Sequence, residues 1–370
     1  MIENLNTFES IQYDEDKDCL RIIDQTKLPF YKALVALNSI DDICSAITSM
    51  QVRGAPLIGL TAAYGLYFSF RENSTWDAFE KASSRLISTR PTAVNIRWVI
   101  ERVRGHLKDF EEKSLKNEAL LFANKLVEED AKICQMIGYF GARELGRLWD
   151  KKCKRAKLAG KPLPSALNVL THCNAGMLAS SAWGTALSPI YQATEFIPVH
   201  VWVDETRPRN QGASLTCWEL MQHGIDHTLI VDNAGGHLMQ QGLVDCCIVG
   251  SDRATASGDI FNKIGTYLKA LAARDNGIPF YAAVPISTID YDVTDDYQEI
   301  VIEERSGEEV RKISGLDHEG IARTISIAPP DAKVSNFSFD VTPSRLVTAI
   351  FTEKGLVEPN VRAMRNLIDS

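Results

Sequence analysis

After residue 165 the chain settles into one repeating pattern, and that pattern limits the folds open to it. Short apolar runs lie at Leu167 to Leu170, Val199 to Val203, Leu229 to Val231, Cys246 to Val249 and Phe280 to Val284. They alternate with segments of helical spacing, such as Ala213 to Gln222 and Ile264 to Ala273. Short buried runs alternating with helices predict an α/β fold, a parallel sheet with helices on both faces. Ligands bind such sheets beyond the carboxyl ends of the strands. Candidate site residues therefore belong just after each run.

The preceding 150 residues read mainly as helix. Leu20 to Ile23 is a short strand, and a helix begins near Asp41. Leu115, Ala119, Phe122 and Leu126 recur at helical spacing, which Ile133, Ile137 and Phe140 resume. Asp130 falls on that apolar stripe and is expected to be a hydrogen-bonded core acid. Lys151-Lys152-Cys153-Lys154-Arg155, running on to Gly160-Lys161-Pro162, breaks the periodicity and reads as an exposed linker. The expected division is a helical domain over 1–150, a linker over 151–165 and the α/β domain over 166–370.

Composition narrows the function. With 370 residues, 45% hydrophobic and 24% charged, the chain can bury a full core and is not a disordered one. A net charge of -8 argues against nucleic acid as partner, yet leaves room for a local basic pocket around one phosphate. The eight cysteines are scattered, without a CxxC pair, and are expected to be reduced thiols. Met1 to Asp18 has no secretory pattern. The apolar stretch between Arg53 and Arg71 is broken by Gly54, Pro56, Gly59 and Gly65 and is too short to span a membrane. A cytoplasmic location without membrane contact is expected.

The strand ends carry the chemistry. Leu170 is followed by Thr171-His172-Cys173-Asn174-Ala175-Gly176. There the Cys173 thiol either is activated by backbone amides and a following helix or simply packs. In extended geometry His172 and Cys173 diverge, so no joint metal site is expected. Asp204-Glu205-Thr206-Arg207-Pro208 and Gln211-Gly212-Ala213 follow the next strand, with Gln211 a candidate hydroxyl binder. Gly250-Ser251-Asp252-Arg253 then places a carboxylate at a strand end. Gly258 to Thr266 reads as the entry to a helix, with Asn262 and Lys263 in a first turn suited to a phosphate. No Walker loop or GxGxxG follows a strand, so nucleotide binding has little support. In the helical part, Arg53-Gly54-Ala55-Pro56 and Arg90-Pro91-Thr92-Ala93-Val94-Asn95 each put an arginine near a helix start. One thiol, one carboxylate and several anion binders suggest acid–base chemistry on a small phosphorylated substrate.

These segments, in this order and joined by Asn262-Lys263-Ile264-Gly265-Thr266-Tyr267, Ile302-Glu303-Glu304-Arg305 and Phe339-Asp340-Val341-Thr342-Pro343, resemble the methylthioribose-1-phosphate isomerase family over essentially the whole chain. The resemblance implies an aldose 1-phosphate to ketose 1-phosphate isomerase of methionine salvage, with no cofactor and no metal. It implies a helical N-terminal domain, a Rossmann-like C-terminal domain and a homodimer. It also implies Cys173 and Asp252 as the catalytic pair, with Arg53, Gly54, Ala55, Arg90, Gln211, Asn262 and Lys263 binding the sugar phosphate. Two departures from the commoner pattern are Ser214, where a basic residue is usual, and Asp232-Asn233-Ala234-Gly235-Gly236-His237. They resemble a side branch acting also, or instead, on 5-deoxyribose 1-phosphate. Regulatory subunits of translation initiation factor 2B resemble this fold without being isomerases. Retention of Cys173 and Asp252 favours an enzyme.

Overall fold

The computed structural model describes residues 8–91, 93–293 and 302–369. Residues 1–7 of the opening segment and Thr92 of the second arginine motif lie outside the described residues. The chain begins with an antiparallel sheet of β1 (Ile11–Asp14), β2 (Cys19–Ile23) and β3 (Leu34–Leu37). Helices α1 (Ile40–Thr48), α2 (Ala55–Glu72), α3 (Trp76–Thr89), α4 (Val94–Leu107) and α5 (Glu112–Leu158) follow. Ser39 and Thr75 cap α1 and α3, their hydroxyls accepting the amides of Asp42 and Ala78. In α2 every residue from Leu57 to Phe70 is buried. A helix buried all round belongs at the centre of a core, and α1, α3, α4 and α5 pack around it.

With 47 residues, α5 is long enough to serve two cores. Leu115 to Leu126 close the core around α2, whereas Ile137, Ala142 and Leu145 enter the one beneath the large sheet. The basic run Lys151 to Arg155 is part of this helix, not a linker. Lys and Arg are good helix formers, and Lys152 Nζ is anchored by donating to the Ala166 carbonyl and Asp245 at 2.7 and 2.6 Å. The helix stops only after Leu158. Asp130 is the hydrogen-bonded core acid that was expected, with Oδ2 accepting the amide and hydroxyl of Ser181 at 2.7 Å each.

Beyond α5 come β4 (Leu167–His172), α6 (Leu187–Ala193), β5 (Val199–Asp204), α7 (Cys217–Gln222), β6 (His227–Ile230), α8 (Ala234–Gln240) and β7 (Cys246–Val249). Next are β8 (Arg253–Thr255), β9 (Ile260–Lys263), α9 (Thr266–Asp275), β10 (Phe280–Ala283), β11 (Ile289–Asp290) and α10 (Glu308–Arg311). The chain closes with β12 (Lys312–Leu316), β13 (Ala322–Ser326), β14 (Phe339–Thr342), β15 (Ala349–Thr352), β16 (Gly355–Val357) and α11 (Val361–Asp369).

The seven-stranded sheet has the order β16-β15-β10-β7-β4-β5-β6 and is parallel except for β16. From β6 to β15, its parallel strands therefore run 3-2-1-4-5-6 in chain order. The winding reverses between β4 and β7, which leaves a crevice beyond their carboxyl ends. Side chains alternate across the sheet. Val169, Ile248 and Tyr281 join residues of α5, α6 and α7 in one core, while Leu170, Val249 and Phe280 join residues of α8, α9 and α11 in another. The α/β arrangement with helices on both faces is as expected. A four-stranded sheet, β11-β8-β9-β14, stands beside the crevice and was not anticipated. Its strands are two to four residues long and partly polar, at or below the shortest run in which alternation becomes visible.

Candidate active site

The crevice gathers every candidate residue. Its walls include Arg53, Gly54 and Ala55 at the start of α2, Arg90 at the end of α3, Cys173 just after β4, and Gln211. Asp252, after β7, and Asn262 and Lys263, on β9, complete it. Asn262 and Lys263 therefore lie on a strand, not in a helix turn; α9 begins only at Thr266. Arg90 caps the end of α3 rather than opening a helix, since α4 starts at Val94.

The backbone at Cys173 takes φ +68°, a left-handed conformation that few non-glycine residues adopt. Two bonds hold it there. Its amide donates to Thr206 Oγ1 at 2.8 Å, and its carbonyl accepts from the Thr216 hydroxyl at 2.6 Å. Arg53 is fixed in the same way, Nη1 donating to Asn174 Oδ1 at 2.5 Å and Nη2 to the Asn174 carbonyl at 2.6 Å. Gly54 follows at φ +93°, where an added Cβ would lie 2.5 Å from Ala179. Glycine thus lets the start of α2 press against the loop after β4.

Asn174 is oriented by a fully buried acid. Its Nδ2 donates to Glu219 Oε1 at 2.8 Å. Glu219 also accepts the amides of Met177 and Leu178 at 2.6 and 3.2 Å and the Tyr191 hydroxyl at 2.8 Å. Nothing in the sequence marked Glu219, a lone acid in the helical run Cys217 to Gln222. Glu303, of the Ile302-Glu303-Glu304-Arg305 segment, has its Oε2 3.1 Å from Arg90, a contact that no spacing in the sequence marks. Gln211 Oε1 is buried with no hydrogen-bond partner among the described residues, an acceptor open to a hydroxyl.

Burial dominates the charges. It raises the Asp252 carboxyl, against the opposing pull of Lys263, Arg90 and Arg53. It lowers the Lys263 ammonium, which Cys173 and Asp252 partly restore. It also raises the Cys173 thiol, and the cations Arg53 and Lys263 offset this only in part. At Cys173 desolvation thus outweighs the nearby positive charge.

Among the described residues, His172, Asp204 and Asp232 have ligand atoms close enough to share an ion. Lys269 already supplies a cation there, with Nζ 3.1 Å from Asp204 Oδ2 and donating to the Asp232 carbonyl. The Lys269 ammonium therefore already meets the Asp204 carboxylate there.

Comparison with known proteins fixes the family. The Initiation factor 2 subunit family matches residues 51–359. The chain is 53% identical over 340 residues to a methylthioribose-1-phosphate isomerase of Methylorubrum populi, covering 92% of this chain and 90% of that one. It is 49% identical over 354 residues to the enzyme of that name from Gluconobacter oxydans, covering 95% and 94%. The chain belongs to the methylthioribose-1-phosphate isomerase family. The 5-methylthioribose 1-phosphate isomerase of Pyrococcus horikoshii OT3 superposes with a TM-score of 0.81 at 35% identity, covering 100% of this chain and 99% of that one. A structure titled translation initiation factor eIF-2B, subunit delta, from A. fulgidus superposes at 0.76 with 39% identity, covering 97% and 99%.

Within the methylthioribose-1-phosphate isomerase family, the two departures read from the sequence fall behind the crevice wall. The Ser214 hydroxyl donates to the Asn210 carbonyl at 2.7 Å, and Asp232 accepts the amides of Thr206 and Arg207 at 2.7 and 2.8 Å. Neither Ser214 nor Asp232 to His237 is among the residues lining the crevice.

Proposed function

We propose that this member of the methylthioribose-1-phosphate isomerase family converts 5-methylthioribose 1-phosphate to 5-methylthioribulose 1-phosphate, a step of methionine salvage. The observation that carries the reading is the placement of Cys173 and Asp252 on either side of the reversal between β4 and β7. Arg53, Arg90 and Lys263 line the same crevice and suit a phosphate. The parallel strand order supports the Rossmann-like description of residues 166–370, and the mainly helical part before them shares α5 with that core. A cytoplasmic homodimer using no cofactor completes the proposal.

The phosphate on C1 locks the sugar as a ring, so no free aldehyde is available. Asp252, raised by burial, gives its proton to the ring oxygen; the C1–O bond breaks and C1 becomes an oxocarbenium carbon. A phosphate dianion beside Arg53 and Lys263 neutralises the cations that lower the Cys173 thiol. The thiol then stays neutral and is a poor base. Hydrogen accordingly moves from C2 to C1 with its electron pair. The C2 hydroxyl proton passes to the Asp252 carboxylate, leaving the C2 ketone and restoring the acid. Cys173 turns a polarisable sulfur to the carbons where positive charge develops.

The test is direct conversion of 5-methylthioribose 1-phosphate and of 5-deoxyribose 1-phosphate, followed by NMR in deuterated water. Turnover of the first is expected. The second differs at an apolar end, worth about 1–3 kcal/mol in a hydrophobic pocket, so it should react as well. No turnover of either sugar would leave the alternative reading, a non-catalytic regulatory protein related to initiation factor 2B subunits. A product carrying solvent deuterium at C1 would replace the hydride shift with proton transfer.

A further inference from the structure

His172 precedes Cys173 and is 1% exposed. His172 is among the residues that line the crevice, yet both its ring nitrogens are committed elsewhere. Nε2 donates to the Ile264 carbonyl at 2.8 Å, one residue beyond Lys263. Nδ1 is paired with Asp204 Oδ2, also at 2.8 Å. The same carboxylate oxygen meets Lys269 Nζ at 3.1 Å. Lys269 in turn donates to the Asp232 carbonyl, and the Asp232 carboxylate takes the amides of Thr206 and Arg207. Thr206 Oγ1 closes the circuit by accepting the Cys173 amide at 2.8 Å.

Three crevice loops end in this one buried cluster: the turn after β4 with Cys173, the turn after β5 that leads to Gln211, and the β9–α9 turn behind Lys263. The last is built around the imidazole. Gly265 takes φ +103°, and an added Cβ would lie 3.0 Å from the imidazole Cε1. Asp340 Oδ2 secures that turn from the far side by accepting the Gly265 amide at 2.7 Å.

We infer that His172 is a positioning residue, a clamp that sets the Cys173 turn against the β9–α9 turn across the crevice. With no ring nitrogen free, it holds groups in place rather than exchanging a proton with the substrate. The inference rests on the proposed roles of Cys173 and Lys263. Misplacing a reacting group by about 1 Å can cost about 10²-fold in rate, so the effect belongs on kcat.

The experiment compares His172→Gln, His172→Asn and His172→Ala. A glutamine amide reaches the Nε2 position and can donate to the Ile264 carbonyl, whereas an asparagine amide reaches only the Nδ1 position toward Asp204. His172→Gln should keep kcat within about fivefold, and the other two should lose about 10–10²-fold with KM within about threefold. Alkylation of Cys173 by iodoacetamide, read by peptide mass, gives a measure that needs no turnover. It should accelerate by about tenfold in His172→Ala and stay near wild type in His172→Gln, because only the first frees the turn. Cys247, fully buried in β7, must remain unlabelled, which separates loosening of the turn from unfolding. Equal kcat loss in all three variants, or unchanged Cys173 labelling in His172→Ala, overturns the inference. If the wild-type protein turns over neither sugar phosphate, the proposed function fails while the labelling still decides whether His172 clamps the turn.

Discussion

Glu303 divides its carboxylate between two arginines, with Oε2 3.1 Å from Arg90 and Oε1 3.1 Å from Arg305. Arg90 therefore meets an internal anion before any phosphate arrives. The Glu303 charge also raises Asp252 and so helps to keep that acid protonated. Activity that needs the protonated acid falls as pH rises through the Asp252 pKa. In Glu303→Gln the raising charge is gone, so the alkaline fall in kcat/KM should move to lower pH. An unmoved or upward-shifted profile would remove Asp252 as the acid. Arg90→Ala should cost about 1.5–3 kcal/mol in kcat/KM, the scale of a hydrogen bond to a charged group.

Cys173→Ser and Asp252→Asn preserve volume while removing the polarisable sulfur and the acidic proton. Asp252→Asn should lower kcat by about 10²-fold or more, the scale of a lost acid–base group, and Cys173→Ser by about 10²-fold, the scale of a lost charge-stabilising contact. Melting temperatures should shift little, since neither change opens a cavity. Well-folded variants with near-normal rates would take the pair out of the mechanism.

Asp130 predicts a pH dependence of stability rather than of activity. Burial pushes its carboxyl up from 3.8 to about 6. The folded state therefore holds this proton more tightly than the unfolded chain. The stabilisation is complete below about pH 4 and is lost as pH rises through about 6, worth about 3 kcal/mol in all. Asp130→Asn keeps an acceptor for Ser181 but does not titrate. The fall in melting temperature from pH 5 to pH 7.5 should be smaller in the variant than in wild type. Parallel curves for the two proteins would refute the assignment.

Gly54→Ala tests the contact between α2 and the loop after β4. A methyl group there meets Ala179 at 2.5 Å on a backbone at φ +93°. The change should destabilise the protein by about 1–3 kcal/mol. It should also lower kcat/KM, because Arg53 shifts with the helix start. Chemical denaturation and steady-state kinetics on the same sample measure both effects.

Much of this architecture was legible because apolar strands announce themselves. Cys246 to Val249 and Phe280 to Ala283 are buried on both faces, and a run with no polar face has few alternatives. β9 was not legible. Its Asn262 and Lys263 point to chemistry, and their polarity hid the strand pairing with β8 and β14. The run Lys151 to Arg155 looked like a linker because charge suggests solvent, but a charged face is also what the outside of a helix carries. The crevice residues could be gathered because they follow strand ends in recognisable order. Glu219 could not, since its work is done through Asn174 and leaves no spacing to read.

The long helix α5 has a consequence for inheritance and engineering alike. Because Leu126 belongs to one hydrophobic core and Ile137 to the next along the same rod, no loop separates the two parts at that point. A crossover that joined the front of one homologue to the back of another within α5 would have to match two interiors at once. Shuffled chimeras should therefore survive best when the whole helix is inherited from one parent, with junctions placed before Glu112 or after Leu158.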